Sequence, residues 1–142
     1  MNIYNAVKEF YYEMTVKELQ QLNKRESGKN ITYNSIMYLD IISYKEKCTV
    51  SSLAQLLNIS KSAVTIKVNE LISQGLVCKT QSQEDKRVFY LSVSPEIWEE
   101  GQKQNNAFAG AIKKLKQDFS MQELETFCKV LDDLGKRIWE EL

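Results

Sequence analysis

The stretch Thr49–Pro95, TVSSLAQLLNISKSAVTIKVNELISQGLVCKTQSQEDKRVFYLSVSP, decides the fold. Ser51 to Leu57 reads as a short helix with Leu53, Leu56 and Leu57 facing inward. Asn58-Ile59-Ser60 is a turn, because Asn tolerates the left-handed backbone that a tight reversal often needs. Ser60 then caps a second helix, Lys61 to Gln74, which Gly75 closes. Its core face is Val64, Val68, Leu71 and Ile72. Two β-prone runs follow, Leu76 to Thr80 and Val88 to Val93, joined as a hairpin by the polar residues Gln81 to Arg87. Ser94-Pro95 opens the next helix, a cap followed by a first-turn proline.

Working outward, Ile3, Val7, Phe10 and Met14 recur at helical steps, with Leu19 and Leu22 beyond, and predict a helix over 3–22. Asn23 to Asn30 is polar and reads as a connection. Thr32 caps a helix over 33–45 whose apolar residues surround much of its axis, which predicts burial. Cys48-Thr49-Val50 is short and β-prone. Downstream, a long helix spans 95–117, and Ser120-Met121-Gln122-Glu123 is a capping box for a last helix. That helix carries Leu124, Phe127, Leu131, Leu134 and Ile138 on one stripe. The expected fold is mainly α with a small β hairpin: a winged helix-turn-helix core with helical flanks. Residues 1–142 make a single domain with a winged-helix lobe over 31–94, and 1–24 and 95–142 form a helical region.

Composition narrows the function. The chain has 142 residues, 43% of them hydrophobic, enough for a real core without staples. No apolar run approaches the roughly 20 residues that span a bilayer, so no membrane association is expected. The start lacks a basic segment followed by an apolar one, so a cytoplasmic location is expected. There is no histidine, which removes Ser-His and Cys-His catalytic pairs and His metal sites together. No phosphate-binding Gly loop or nucleophile motif is present, so an enzyme is not expected, nor a cofactor or metal. Cys48, Cys78 and Cys128 form no CxxC and read as buried reduced thiols. Net charge is zero but uneven: +1 over 1–57, +2 over 58–90 and −3 over 91–142. A mildly basic centre beside an acidic end is a weak pointer to an anionic partner.

The chemistry of such a core is direct. A helix fits the major groove with its first turns facing base edges. A hairpin tip reaches neighbouring phosphates or the minor groove with basic side chains. The sequence also resembles the MarR family of bacterial transcriptional regulators. The residues that carry this are Thr49-Val50-Ser51-Ser52-Leu53-Ala54-Gln55-Leu56-Leu57, Ser60-Lys61-Ser62-Ala63-Val64-Thr65, and Leu71 with Gly75-Leu76-Val77. Asp85-Lys86-Arg87 followed by Val93-Ser94 is similar to the family's wing signature, Asp-x-Arg and then Leu-Thr. The likeness is close over Ile31 to Ser94 and elsewhere rests on helix length and order.

The resemblance implies a homodimer, held by the first and last helices, that grips a pseudo-palindromic operator in double-stranded DNA. It implies a regulator, expected to be a repressor, released by a small aromatic effector. Ser60, Lys61, Ser62 and Thr65, at the start of the recognition helix, are the expected base-edge and phosphate contacts. Asn69, one turn on, either reads a base or is simply solvated. Lys86 and Arg87 are expected on DNA from the wing, with Asp85 a structural partner that orients the Arg87 fork. Tyr11, Tyr12, Tyr33, Tyr38 and Trp98 are candidate effector-pocket walls, although aromatics at such positions are more often core. The chain departs from the family at Ile66, often Arg, at Lys67, usually apolar, at Glu70, often basic, and at Ile97, commonly Gly. Oxidant-sensing relatives use a first-helix cysteine, and this chain has none there. The depleted positive field leaves an alternative: a winged-helix protein-interaction module with weak or no DNA binding.

Overall fold

A computed structural model describes residues 2–24 and 31–141 of the chain. It is mainly helical with one two-stranded antiparallel hairpin. The elements are α1 (Ile3–Lys24), α2 (Tyr33–Tyr44), α3 (Val50–Leu57), α4 (Lys61–Ser73), β1 (Val77–Gln81), β2 (Phe89–Val93), α5 (Pro95–Asp118) and α6 (Met121–Glu141). They fall into two compact units, Met1–Trp98 and Glu99–Leu142. The first helix runs on through Asn23 and Lys24, where a connection was expected; the rest of that connection, 25–30, lies outside the described residues.

Each helix of the first unit from α2 to α4 starts where a side chain satisfies an orphan N–H group. The Thr32 hydroxyl accepts from the Ser35 N–H at 3.2 Å. Thr49 and Ser52 cap one another's backbone N–H groups at 3.1 and 2.9 Å, opening α3. Ser60 accepts from the Ala63 N–H at 3.2 Å to open α4. The helix ends are equally local. Asn58 adopts φ 53° and ψ 45°, and the Ile59 N–H turns back to the Ala54 carbonyl at 3.1 Å. Gly75 has φ +71°, and the N–H groups of Gly75 and Leu76 close on the carbonyls of Ile72 and Leu71, both at 2.9 Å. This paired closure delivers Leu76 beside Leu71, both with no exposed surface.

The core of this unit joins Leu39 and Ile42 of α2, Leu53 and Ala54 of α3, and Val64, Val68 and Leu71 of α4 to Leu76, Val77 and Leu91 at the hairpin base. Three expectations are corrected here. Leu56 is 57% exposed, and Ala54 takes its place inside. At 100° per residue the buried face of α3 centres between Leu53 and Ala54, which turns Leu56 outward. α2 is enclosed on one side only: Tyr38, Leu39 and Ile42 are buried, while Met37 and Tyr44 face solvent. Among the candidate aromatics, Tyr38 alone joins the core; Tyr11, Tyr12 and Trp98 are more than half exposed.

The hairpin pairs Val77 with Val93 through Gln81 with Phe89. The β-prone stretch at Cys48 supplies a single bridge to it: the Leu91 N–H donates to the Cys48 carbonyl at 2.7 Å. Cys48 is buried, and burial pushes its thiol pKa up. The buried-thiol reading fails at the other two sites. Cys78 lies on a strand whose residues beyond Val77 are exposed, and Cys128 on a helix without a buried residue.

In the second unit, the Ser120 N–H and hydroxyl donate to the Glu123 carboxylate at 2.8 and 2.6 Å, and hold its pKa below the ordinary range. α6 carries Phe127, Val130, Leu131 and Ile138 exposed, with Leu124 and Leu134 half-buried. Phe108, Ile112, Leu115 and Phe119 are likewise exposed along and just past α5. In the first unit α1 buries nothing fully: Ile3, Tyr4, Phe10, Tyr11 and Tyr12 are all exposed. Among the described residues no helix is long and apolar enough to cross a membrane, and no cluster of metal-ligating side chains forms.

The left-handed backbone at Gly75 yields a stability prediction. A Cβ there meets no atom within 4 Å, so the penalty in Gly75→Ala is backbone strain alone. Denaturant unfolding is expected to show a loss of about 1–2 kcal/mol.

Candidate nucleic-acid interface

α4 presents one uncovered face. Ser62, Thr65, Ile66 and Asn69 recur at steps of three, four and seven, so they share a stripe, and all four are exposed. Lys61 and Ser60 precede them at the exposed start of the helix. Ser60 already accepts the Ala63 N–H, so its hydroxyl oxygen is partly occupied by capping. The Thr65 hydroxyl donates to the Lys61 carbonyl at 2.7 Å. Its hydrogen is thus spent within the helix, which leaves its methyl group and the acceptor side of its oxygen for a ligand.

The hairpin tip is built around Asp85. Its carboxylate accepts from the Arg87 backbone N–H at 3.0 Å. It also takes Nε and Nη2 of the Arg87 guanidinium, each at 3.1 Å. The hydrogen bonds from the guanidinium and then from the backbone hold the Asp85 carboxyl below its ordinary pKa. The pair therefore stays formed at neutral pH and is lost only as pH falls through that lowered value. Arg87 is 90% exposed even so, and the donors turned away from Asp85 face solvent in a fixed direction. Gln81 Nε2 donates to the Lys86 carbonyl at 2.6 Å, and the Val88 N–H donates to the Asp85 carbonyl at 2.9 Å. These bonds fix the turn and leave the Lys86 side chain exposed.

Stripe and tip meet at a groove of about 440 Å³, lined by Val50, Thr65, Asn69, Lys79, Arg87 and Phe89 among others. The structure thus brings Thr65, Asn69 and Arg87 to one concavity, while Ser60, Lys61, Ser62 and Lys86 lie outside its lining. Lys79 was not singled out from the sequence. It sits with its ammonium 4.7 Å from the centre of the Phe89 ring and adds a second cation to the groove. The diagonal placement of residues 79 and 89 in the hairpin register is the signal that finds it.

Two departures from the family pattern answer each other. The Lys67 side chain is 15% exposed and runs inward along α4. Its ammonium donates to the buried Ser35 hydroxyl at 2.9 Å and to the Glu70 carboxylate at 3.0 Å. Ser35 is in turn 3.0 Å from the capping hydroxyl of Thr32. Glu70 is therefore not a bare negative charge; its field is offset by Lys67. A lysine at an apolar position survives because its chain packs and its head finds partners. A double-mutant cycle of Ser35→Ala and Lys67→Met is expected to give a coupling of about 1 kcal/mol or more in denaturant unfolding.

The sequence model of the MarR family matches residues 31–89 of this chain. Among curated proteins no sequence relative is found. Among solved structures, Streptococcus pneumoniae FabT in complex with DNA is similar with a TM-score of 0.66 at 20% identity, over 98% of this chain and 99% of that one. The adhesin competence repressor AdcR of Streptococcus pyogenes gives 0.64 at 20% identity, over 97% and 98%. A point mutant of S. aureus MepR gives 0.64 at 16%, over 97% and 96%. At these identities the structures attest a shared winged-helix fold. The matched segment spans α2, α3, α4, β1 and the hairpin turn, the elements that build the stripe and the groove. The winged-helix lobe of this chain is thus similar in sequence to the MarR family over residues 31–89, and in fold to these solved structures along its whole length.

Proposed function

We propose that this chain is a sequence-specific regulator of transcription, acting as a homodimer on a pseudo-palindromic operator in double-stranded DNA and repressing until a small effector releases it. One observation carries the reading: the uncovered stripe of α4 shares a groove with a wing arginine whose fork is already oriented by Asp85. In this reading Lys61, Ser62, Thr65 and Asn69 approach base edges or flanking phosphates from the major groove. Lys86 and Arg87 approach phosphates or the minor groove from the wing, and Asp85 positions Arg87. The similar FabT structure was obtained with DNA, and AdcR is named a repressor; both lend support by analogy.

The homodimer is supported by apolar surface. α1, α5 and α6 each leave large hydrophobic side chains exposed within the single chain, more than an isolated soluble domain ordinarily shows. A two-fold pairing that covers them sets two α4 helices on successive major grooves, roughly 34 Å apart. The effector finds support in a cavity of about 540 Å³ within the first unit. Ile42, Leu91, Val93 and Trp98 give it apolar walls, and Lys45, Glu46 and Lys47 lie on its lining with a net charge of +1, which suits a small aromatic molecule with an acidic group. Such a protein works where the chromosome is, in the cytoplasm. The alternative of a protein-interaction module loses one of its motives, because Glu70 is paired with Lys67, and keeps the zero net charge and Ile66.

Sedimentation velocity at micromolar concentration is expected to show a dimer, and a monomer there would remove the two-half-site reading. Binding to the DNA upstream of its own gene, followed by fluorescence anisotropy at two salt concentrations, tests the rest. Arg87→Ala is expected to weaken binding to all duplexes and to reduce the slope of log K against log salt by about 1. Asp85→Ala separates positioning from charge. Loss of a carboxylate near phosphate should tighten binding on charge alone, whereas loss of the oriented fork weakens it; weakening is the expected result.

A further inference from the structure

Resting on the reading above, we infer that α4 recognises thymine through carbon: Ile66, with the Thr65 methyl beside it, packs on the C5-methyl groups of thymine in the major groove. Ile66 is 71% exposed, on a helix whose remaining large aliphatic residues are buried or half-buried. A single exposed isoleucine on a protein surface is ordinary. Its position is what gives this one meaning. It stands in the middle of the Ser62–Thr65–Ile66–Asn69 stripe, the face that the wing leaves open.

The stripe carries no cation. Lys67, the one basic residue within its span, is turned inward to Ser35 and Glu70. Lys61 stands a step ahead of it, at the helix start. The commonest reading of guanine is a bidentate Arg or Lys on O6 and N7, and the centre of this stripe offers neither. What it offers is methyl groups, the Ser62 hydroxyl and one amide. The Thr65 hydroxyl hydrogen is committed to the Lys61 carbonyl at 2.7 Å, so the residue has no donor left for a base and keeps its γ-methyl and an acceptor oxygen. Apolar side chains discriminate thymine by its C5-methyl, and an Asn amide suits N6 and N7 of adenine. Ile66, Thr65 and Asn69 are therefore matched to A·T pairs, and Ile66 is the specificity-determining residue.

The test uses the full chain. Binding sites are selected from a random duplex library, and affinity is then compared on the selected duplex and on the same duplex with deoxyuridine in place of thymidine. Deoxyuridine pairs identically and lacks only the methyl. The expected results are A·T pairs at the centre of each half-site and binding about fourfold weaker for each contacted methyl removed. Ile66→Ala, on an exposed site, is expected to keep the thermal transition of the parent and to lose most of the difference between the two duplexes. Ile66→Arg is expected to shift selection toward guanine. Equal affinity for the two duplexes, G·C pairs at the half-site centres, or an unchanged methyl dependence in Ile66→Ala would each overturn the inference and leave DNA binding standing. Failure of the library to yield any enriched sequence, with no binding at low salt, would overturn the regulator reading and this inference with it.

Discussion

The wing depends on one residue. A two-stranded hairpin is marginal by itself in water, so this one must be held from outside. Leu91 holds it. Its side chain is buried in the core, and its N–H closes on the Cys48 carbonyl just ahead of the cap of α3. At the other end of the strand pair, the Ser94 N–H closes on the Leu76 carbonyl at 2.8 Å. Leu76 is itself delivered by the left-handed turn at Gly75. Chain direction, buried surface and two backbone bonds thus set β1 and β2 against α3 and α4. The groove between Asn69 and Arg87 is a result of that anchoring.

Charge in the lobe is arranged by pairing more than by number. Lys67 and Glu70, which in sequence look like a misplaced cation and an unwelcome anion, neutralise each other along α4. Asp85 takes two donors of Arg87 and gives direction to the rest. The outward face keeps Lys61, Lys79, Lys86 and Arg87 around a stripe that is itself uncharged. In the proposed regulator, cations at the edges of this surface would meet phosphates, and hydroxyl, amide and aliphatic groups at its centre would meet bases.

What the sequence made legible was whatever is decided within a few residues. Thr32, Ser60, Ser94 and the Ser120–Glu123 pair mark helix starts by bonds that span three positions, whereas Thr49 read as β-prone and proves to cap α3. Asn58 and Gly75 mark the ends, and the Asp85–Arg87 spacing of two announced the wing fork. The rest hangs on neighbours far along the chain. The Lys67 ammonium finds Ser35 from 32 positions away, and no local pattern points to that. Leu56 looked inward until the bulk of α2 and α4 chose the face of α3. Tyr11, Tyr12 and Trp98 read as core because aromatics usually are. Tyr11 and Tyr12 share the exposure of the other large apolar residues of α1.

The Thr32–Ser35–Lys67–Glu70 chain has an evolutionary consequence. Its members cannot drift independently, because the order of replacement matters. Losing Lys67 first strands Glu70 as an unpaired anion on α4 and leaves the buried Ser35 hydroxyl with Thr32 alone. Losing Glu70 first leaves Lys67 bonded to Ser35 and makes the helix more positive. Replacing Lys67 by an apolar residue is therefore expected to cost less after Glu70 has become neutral than before.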